Sequence, residues 1–136
     1  MSVPRLSVLM SVNNGEPYLG ECVESILTQI FRDFEFIIVD DGSTDDSWQI
    51  LTHYAEQDER IVLLRNQPNI GVVRALNLGL DHARGQIIAR QDADDISHPE
   101  RLQNQINFLD AHPEYGLIAV VPQPIDIGGI PLCSYL

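Results

Sequence analysis

Three carboxylates fall within four residues at Asp92-Ala93-Asp94-Asp95. If this stretch is extended, residues two apart point the same way, so Asp92 and Asp94 can converge on one point. Hard carboxylate oxygens gathered in that way suit Mg²⁺ or Mn²⁺, and a cation would relieve their repulsion. The alternative is a solvated acidic turn that caps the next helix. A second cluster, Asp40-Asp41-Gly42-Ser43, offers an acceptor for a base N–H or a ribose hydroxyl. Its plainer reading is that Asp41 and Ser43 cap a helix beginning near Asp45. Ser11, Asn13 and Asn14 form a third polar group, of a kind that often does no more than make turns.

Two arginines could meet an anion. Arg74 follows Asn69-Ile70-Gly71 at the expected start of a helix, where free backbone amides also favour negative charge. Arg90 directly precedes the acidic loop and could pair with a diphosphate or with an aspartate. An ordinary ion pair is the competing reading for both. His53, His82, His98 and His112 lack metal-ligand spacing such as His-Glu-x-x-His and are expected on the surface or at caps.

The elements that position these groups follow from hydrophobic patterning. Leu6–Val12, Phe34–Val39, Arg60–Arg65 and Gln86–Arg90 are apolar, branched runs expected as strands. A fifth strand is expected over Gly116–Val121. Between them, Tyr18–Ile30 places Leu19, Val23, Ile26, Leu27 and Ile30 on one helical face. A second helix carries Trp48, Leu51 and Ala55 inward, and a third carries Val73, Leu76 and Leu80 and stops at Gly85. Ser97-His98-Pro99-Glu100 reads as a capping box opening a fourth helix, with Leu102, Ile106 and Leu109 inward.

Strand and helix alternate throughout, which implies an α/β fold with a mostly parallel sheet flanked by helices. Ligands bind such sheets at the carboxyl ends of the strands. The polar clusters at Ser11–Asn14, Asp40–Thr44 and Gln91–Asp95 all fall at those ends. The expected organisation is one domain over residues 1–121 and an irregular C-terminal tail over 122–136, where Pro-Gln-Pro and Gly-Gly interrupt any pattern.

The chain has 136 residues and a net charge of −12. Such a surface repels nucleic acid, and no basic stripe offsets it. All eight basic residues are arginine. The absence of lysine excludes a Walker-type phosphate loop and Schiff-base chemistry. Gly15 and Gly20 do not form G-x-G-x-x-G, and no G-x-S-x-G elbow occurs. Cys22 and Cys133 are too few for a disulfide framework and are expected to be reduced, in the cytosol. No signal-peptide pattern opens the sequence and no apolar run is long enough to span a bilayer.

Taken in order, the motifs resemble family 2 glycosyltransferases of the GT-A, Rossmann-like fold. The resemblance lies in Leu6-Ser-Val-Leu-Met-Ser-Val-Asn-Asn14, Tyr18-Leu19, Glu24–Gln29 and Phe34–Asp45. It continues through Asn69-Ile-Gly71, Ala75-Leu76-Asn77, Ile88–Asp95 and Pro99-Glu-Arg-Leu-x-x-Gln105, and so covers residues 5 to about 121. It implies an inverting transfer from a nucleotide diphosphate sugar, commonly a UDP-sugar, to an acceptor hydroxyl on a sugar or glycan. The family's D-x-D motif falls on Asp92 and Asp94: Asp94 would coordinate Mn²⁺ or Mg²⁺, with Asp92 near the metal, ribose and diphosphate. Asp41 would hold the base edge, with Ser11 nearby; by their positions Asn13 and Arg74 are added to the expected nucleotide-sugar site.

Two departures stand out. The stretch Met10–Asn14 at the end of strand one holds no aromatic residue to stack on the base. The family's catalytic aspartate has no counterpart between Ser97 and Leu136, where Glu114 and Asp126 sit in the wrong context. A general base contributes about 10²- to 10⁴-fold, so the catalytic residue is expected outside this sequence, which reads as a truncated donor-binding half. The resemblance further implies cell-surface polysaccharide assembly by a full-length enzyme at the inner face of the membrane. A non-catalytic nucleotide- and metal-binding fragment is the rival reading. Uncovered apolar residues from Val120 onward also make a homo-oligomer an expectation.

Overall fold

The computed structural model describes residues 2–132. Its order is β1 (Leu6–Val12), α1 (Glu16–Leu27), β2 (Phe34–Asp41), α2 (Ser47–Gln57), β3 (Ile61–Asn66), α3 (Val72–His82), β4 (Ile87–Arg90) and α4 (Arg101–Ala111). The four strands form one sheet in the order β3-β2-β1-β4, and every pairing is parallel. Two compact units result, Met1–Asn104 and Gln105–Leu136.

The first unit holds the sheet. β1 and β2 are its central strands and are buried almost throughout, which is why they read as near-continuous apolar runs. Leu19, Cys22, Val23 and Ile26 of α1 are buried as the helical spacing predicts. The helix ends at Leu27, earlier than expected, and Ile30 lies exposed beyond it. Leu51 of α2 is buried, with Trp48 and Ala55 half-buried beside it.

α3 departs from its expected face. Ala75 and Gly79 are buried, whereas Val73 is 68% exposed and Leu80 43%. A Cβ at Gly79 would run into Leu9 Cδ1, so small residues turn inward because the helix lies close against β1 and β2. Size, not hydrophobicity, sets which face meets the sheet.

The capping box is also replaced. Ser97 lies before the helix and gives its hydroxyl to Gln91 Oε1 at 2.8 Å, while α4 begins at Arg101. Buried Gln29 secures this junction, accepting the Leu102 N–H at 3.0 Å and donating to His98 O at 2.7 Å.

The second unit has no strand at Gly116–Val121, and Val121 is 95% exposed. A strand is stabilised by its ladder partners rather than by β propensity, and none of the named strands pairs with this segment. Its regular features are a stacked Phe108–His112–Tyr115 group and a turn closed by the Ile125–Pro131 bridge. No helix of the described residues is long and apolar enough to cross a membrane.

Candidate functional site at the carboxyl edge of the sheet

The loops after β1 and β2 are stitched into one surface. Among the described residues Asn14 is the non-glycine residue with positive φ, at 55°, a conformation asparagine tolerates. There its Oδ1 accepts from Thr44 N at 2.8 Å, and its N–H donates to Ser43 Oγ at 2.9 Å. Gly15 N–H reaches Ser47 Oγ at 2.9 Å, and Asn13 Nδ2 reaches Asp41 O at 2.9 Å. Asn13 therefore sits beside Asp41, with half-buried Ser11 two residues back on β1. Asn14 and Ser43 serve as loop fasteners.

β2 extends two residues further than its apolar run, taking Asp40 and Asp41 into the strand. Both carboxylates are consequently buried and bonded. Asp40 accepts the Ser43 N–H and lies 3.1 Å from Arg65 Nε, whose guanidinium stacks over Trp48. That ion pair lacks hydrogen-bond alignment, leaving Asp40 Oδ2 without a bonded donor.

Asp41 accepts three donors: Asn66 Nδ2 and Ile70 N on Oδ1 (both 3.0 Å), and Gly71 N on Oδ2 (2.9 Å). Neither Asp41 nor Ser43 caps α2, whose N-cap is Asp46. The amides expected to await an anion ahead of Arg74 are occupied by Asp41 itself. Gly42, at φ 74°, makes this approach possible, since a Cβ there would stand 2.7 Å from Asn69 N. Asp41 Oδ2 retains acceptor capacity for one more donor. Arg74 is exposed on the first turn of α3.

Asp92–Asp95 is a turn, closed by Asp95 N–H on Asp92 O at 3.1 Å, and not the extended stretch expected. Backbone carbonyls here are drawn inward. Gln91, buried among mostly exposed neighbours, donates from Nε2 to Asp92 O at 3.2 Å and Asp95 O at 2.9 Å. The side chains are left outside: Asp92, Asp94 and Asp95 are all exposed. Asp92 Oδ1 takes Arg90 Nε and Nη2, both at 3.0 Å. Of the two partners open to Arg90, the structure thus shows the aspartate. The turn lies against the first loop, with Ala93 Cβ 3.9 Å from where a Gly15 Cβ would stand.

The charges in this turn act on one another. Burial first, then the charges of Asp92 and Asp94, raise the Asp95 pKa against the pull of Arg101. Beneath the turn, Cys22 Sγ meets Asp92 O at 3.2 Å. Burial pushes its thiol up to about 11, with the three aspartates adding to the shift, so it stays neutral. Among the described residues no group of three His, Cys, Asp or Glu side chains converges as a metal cage. One or two exposed carboxylates in a negative field still fit Mg²⁺ or Mn²⁺ that takes its other ligands from substrate phosphates and water.

The roles of Gln91 and Arg101 were not read from the sequence. Gln91 Oε1 accepts Ser97 Oγ and Arg101 Nη1 (2.6 Å), and Arg101 Nη2 donates to Arg90 O at 2.7 Å. The available signal was a polar residue at the end of an apolar strand, which when buried must find partners. Glu114 and Asp126 have local engagements. Glu114 stands 3.5 Å from His112, and Asp126 Oδ1 accepts the Gly128 and Ile130 amides.

A parallel sheet with its polar groups gathered at the carboxyl edge, beside an exposed acidic turn, has the form of a GT-A sugar-nucleotide domain. Residues 7–129 match the family description "Glycosyl transferase family 2", and the chain belongs to that family. It is 43% identical over 118 residues to the putative glycosyltransferase EpsE of Bacillus subtilis, covering 86% of this chain and 42% of that protein. S. aureus TarS, solved with UDP, superposes with a TM-score of 0.74 at 30% identity, over 80% of this chain and 33% of that one. The mannosyltransferase PcManGT from Pyrobaculum calidifontis, solved with GDP-Man and Mn²⁺, gives 0.73 at 28% identity, again over 80% of this chain and 33% of that one. The chain thus spans about two-fifths of a curated relative such as EpsE and a third of these solved neighbours.

Proposed function

We propose that this chain binds a nucleotide diphosphate sugar together with Mn²⁺ or Mg²⁺, as the donor half of an inverting glycosyltransferase. The observation that carries this reading is the exposed Asp92–Asp95 turn set beside the joined β1 and β2 loops. Similarity to proteins solved with UDP and with GDP-Man and Mn²⁺ supports it. Asp94 supplies a free carboxylate to the metal. Asp92, paired with Arg90, would help hold the metal and the ribose–diphosphate, and Arg90 would balance phosphate charge beside it. Asp41 offers its remaining acceptor position to a base N–H, flanked by Ser11 and Asn13, and Arg74 balances phosphate charge. The bound metal would act as a Lewis acid that stabilises negative charge on the departing nucleoside diphosphate.

For the full-length enzyme we extend this, on the sequence resemblance, to transfer onto a sugar or glycan acceptor. The same resemblance supports a role in cell-surface polysaccharide assembly at the inner face of the membrane. A second reading, donor binding without turnover by residues 1–136 alone, is favoured by the local engagements of Glu114 and Asp126.

Calorimetric titration of UDP into the folded chain, with Mn²⁺ and with EDTA, tests the donor site. Binding is expected with Mn²⁺ and to be lost in EDTA. GDP is titrated in parallel, and a folded chain that binds neither nucleotide refutes the reading.

A further inference from the structure

We infer that Gln91 is the positioning residue of the acidic turn, holding Asp92 and Asp94 at the spacing the metal requires. The inference rests on the donor-site reading above. Its basis is the set of bonds this one amide makes. The Gln91 main chain is fixed to β1 by its N–H on Leu9 O at 3.0 Å. Its Nε2 then spans the turn, donating to Asp92 O and Asp95 O, the same residues that the turn's own hydrogen bond joins. On the other side, Oε1 accepts Ser97 Oγ and Arg101 Nη1. The amide thereby ties the turn to the strand before it and to the start of α4 after it.

Only a primary amide satisfies this site. Two carbonyl oxygens require donors, and a hydroxyl and a guanidinium require an acceptor. Glutamate would set a carboxylate against the Asp92 and Asp95 carbonyls. Methionine has similar length but can make none of these four bonds. Three repelling carboxylates on a turn without this brace would spread, and a cation would have to gather them at its own cost.

The experiment compares UDP binding by the wild-type chain and Gln91→Met, each with Mn²⁺ and with EDTA, alongside thermal unfolding. The expected result is a loss of about 10- to 100-fold in Mn²⁺-dependent UDP affinity, the range typical when a support of a metal ligand is removed. Any metal-free UDP binding should be unchanged. Unaltered Mn²⁺-dependent affinity in folded Gln91→Met, with only a lower Tm, overturns the inference and leaves the donor site standing. Absence of nucleotide binding by the folded wild-type chain removes both.

A measurement on the wild-type chain stands independent of the variant's folding. The Gln91 side-chain amide protons should exchange slowly with solvent, and should remain slow when UDP and Mg²⁺ are added. Fast exchange of that amide in the free chain shows the brace is not held, and overturns the inference.

Discussion

Both ends of this sheet carry acidic side chains, one at the amino edge and several at the carboxyl edge, and the two ends treat them in opposite ways. At the amino edge, Glu35 is 3% exposed and every contact is closed. It accepts Ser7 Oγ at 2.7 Å, Arg84 N–H at 2.7 Å and Arg84 Nε at 2.8 Å, while Gly85 N–H donates to Ser7 Oγ. At the carboxyl edge, Asp92 is 53% exposed and pairs with Arg90, and Asp94 and Asp95 face water. Charge that is fully satisfied fastens structure. Charge left exposed, on a turn whose carbonyls face Gln91, stays open to a ligand from solvent. Asp41 stands between the two cases, buried with three internal donors and one acceptor position unused.

The difference is tested most directly by removing one carboxylate from each end. Asp94→Ala should reduce Mn²⁺-dependent UDP affinity by ~100-fold or more, above the loss seen when only a ligand's support is removed. Its Tm in EDTA should not fall, because an exposed repelling charge is what is lost. Calorimetry and thermal unfolding on the same sample read both effects. A variant that binds as tightly as the parent would place the metal elsewhere.

Glu35→Ala should do the reverse. Three bonds to a buried carboxylate disappear and Ser7 loses its acceptor, at a cost of about 2–3 kcal/mol in urea unfolding. The half-exposed Arg84 rehydrates, which keeps the loss below that of a fully buried pair. Affinity of the folded fraction for UDP should be unchanged. A weaker affinity would mean the two edges communicate through β1.

Acid separates the ends by sign. Burial raises the Glu35 pKa, but the bonds from Ser7 and Arg84 outweigh it, so the folded value lies below the ordinary glutamate value. Its contribution is therefore complete above that value and is lost as pH falls through the folded one. Asp58 behaves alike, depressed chiefly by its bond from Arg60. Asp95 is raised, so its contribution is complete below the ordinary aspartate value and is lost as pH rises through the folded one. Urea midpoints measured from pH 7 down to pH 3 should fall overall, and Glu35→Ala should flatten that fall.

The sequence announced the open end better than the closed one. Asp92–Asp95 and Asp40-Asp41 were visible as polar breaks following apolar strands, and the rule for ligands in parallel sheets gave them a common edge. Ser7 and Glu35 carry an equally clear mark, being polar residues inside buried strands at paired register positions. Their partner Arg84, 49 positions from Glu35, comes from a loop that no periodicity singles out. The same limit applies to α3, where hydrophobicity favoured Val73 and Leu80 but close packing selected Ala75 and Gly79. Local pattern names the elements. Which face turns inward, and which amide braces which turn, depends on contacts distant along the chain.

The smallest expected effect probes the open end without touching a proposed ligand. Asp95 is raised first by burial and then by Asp92 and Asp94, and Arg101 offsets this only in part. A raised carboxyl means that, at neutral pH, the folded chain is less hospitable to this charge than water is. Asp95→Asn removes the charge, keeps the shape and suits a turn. The Tm in EDTA at pH 7 should therefore rise, on the order of 1–2 °C for a few tenths of a kcal/mol in a domain of this size. Lowering the pH to 4 should shrink the gain, because the parent's own Asp95 then takes up a proton. Mn²⁺ with UDP should shrink it too, since a bound cation relieves in the parent the same repulsion that the substitution removes. A gain equal at both pH values would assign the effect to the turn's backbone instead of its charge, and the carboxyl edge would then lose its claim to stored repulsion.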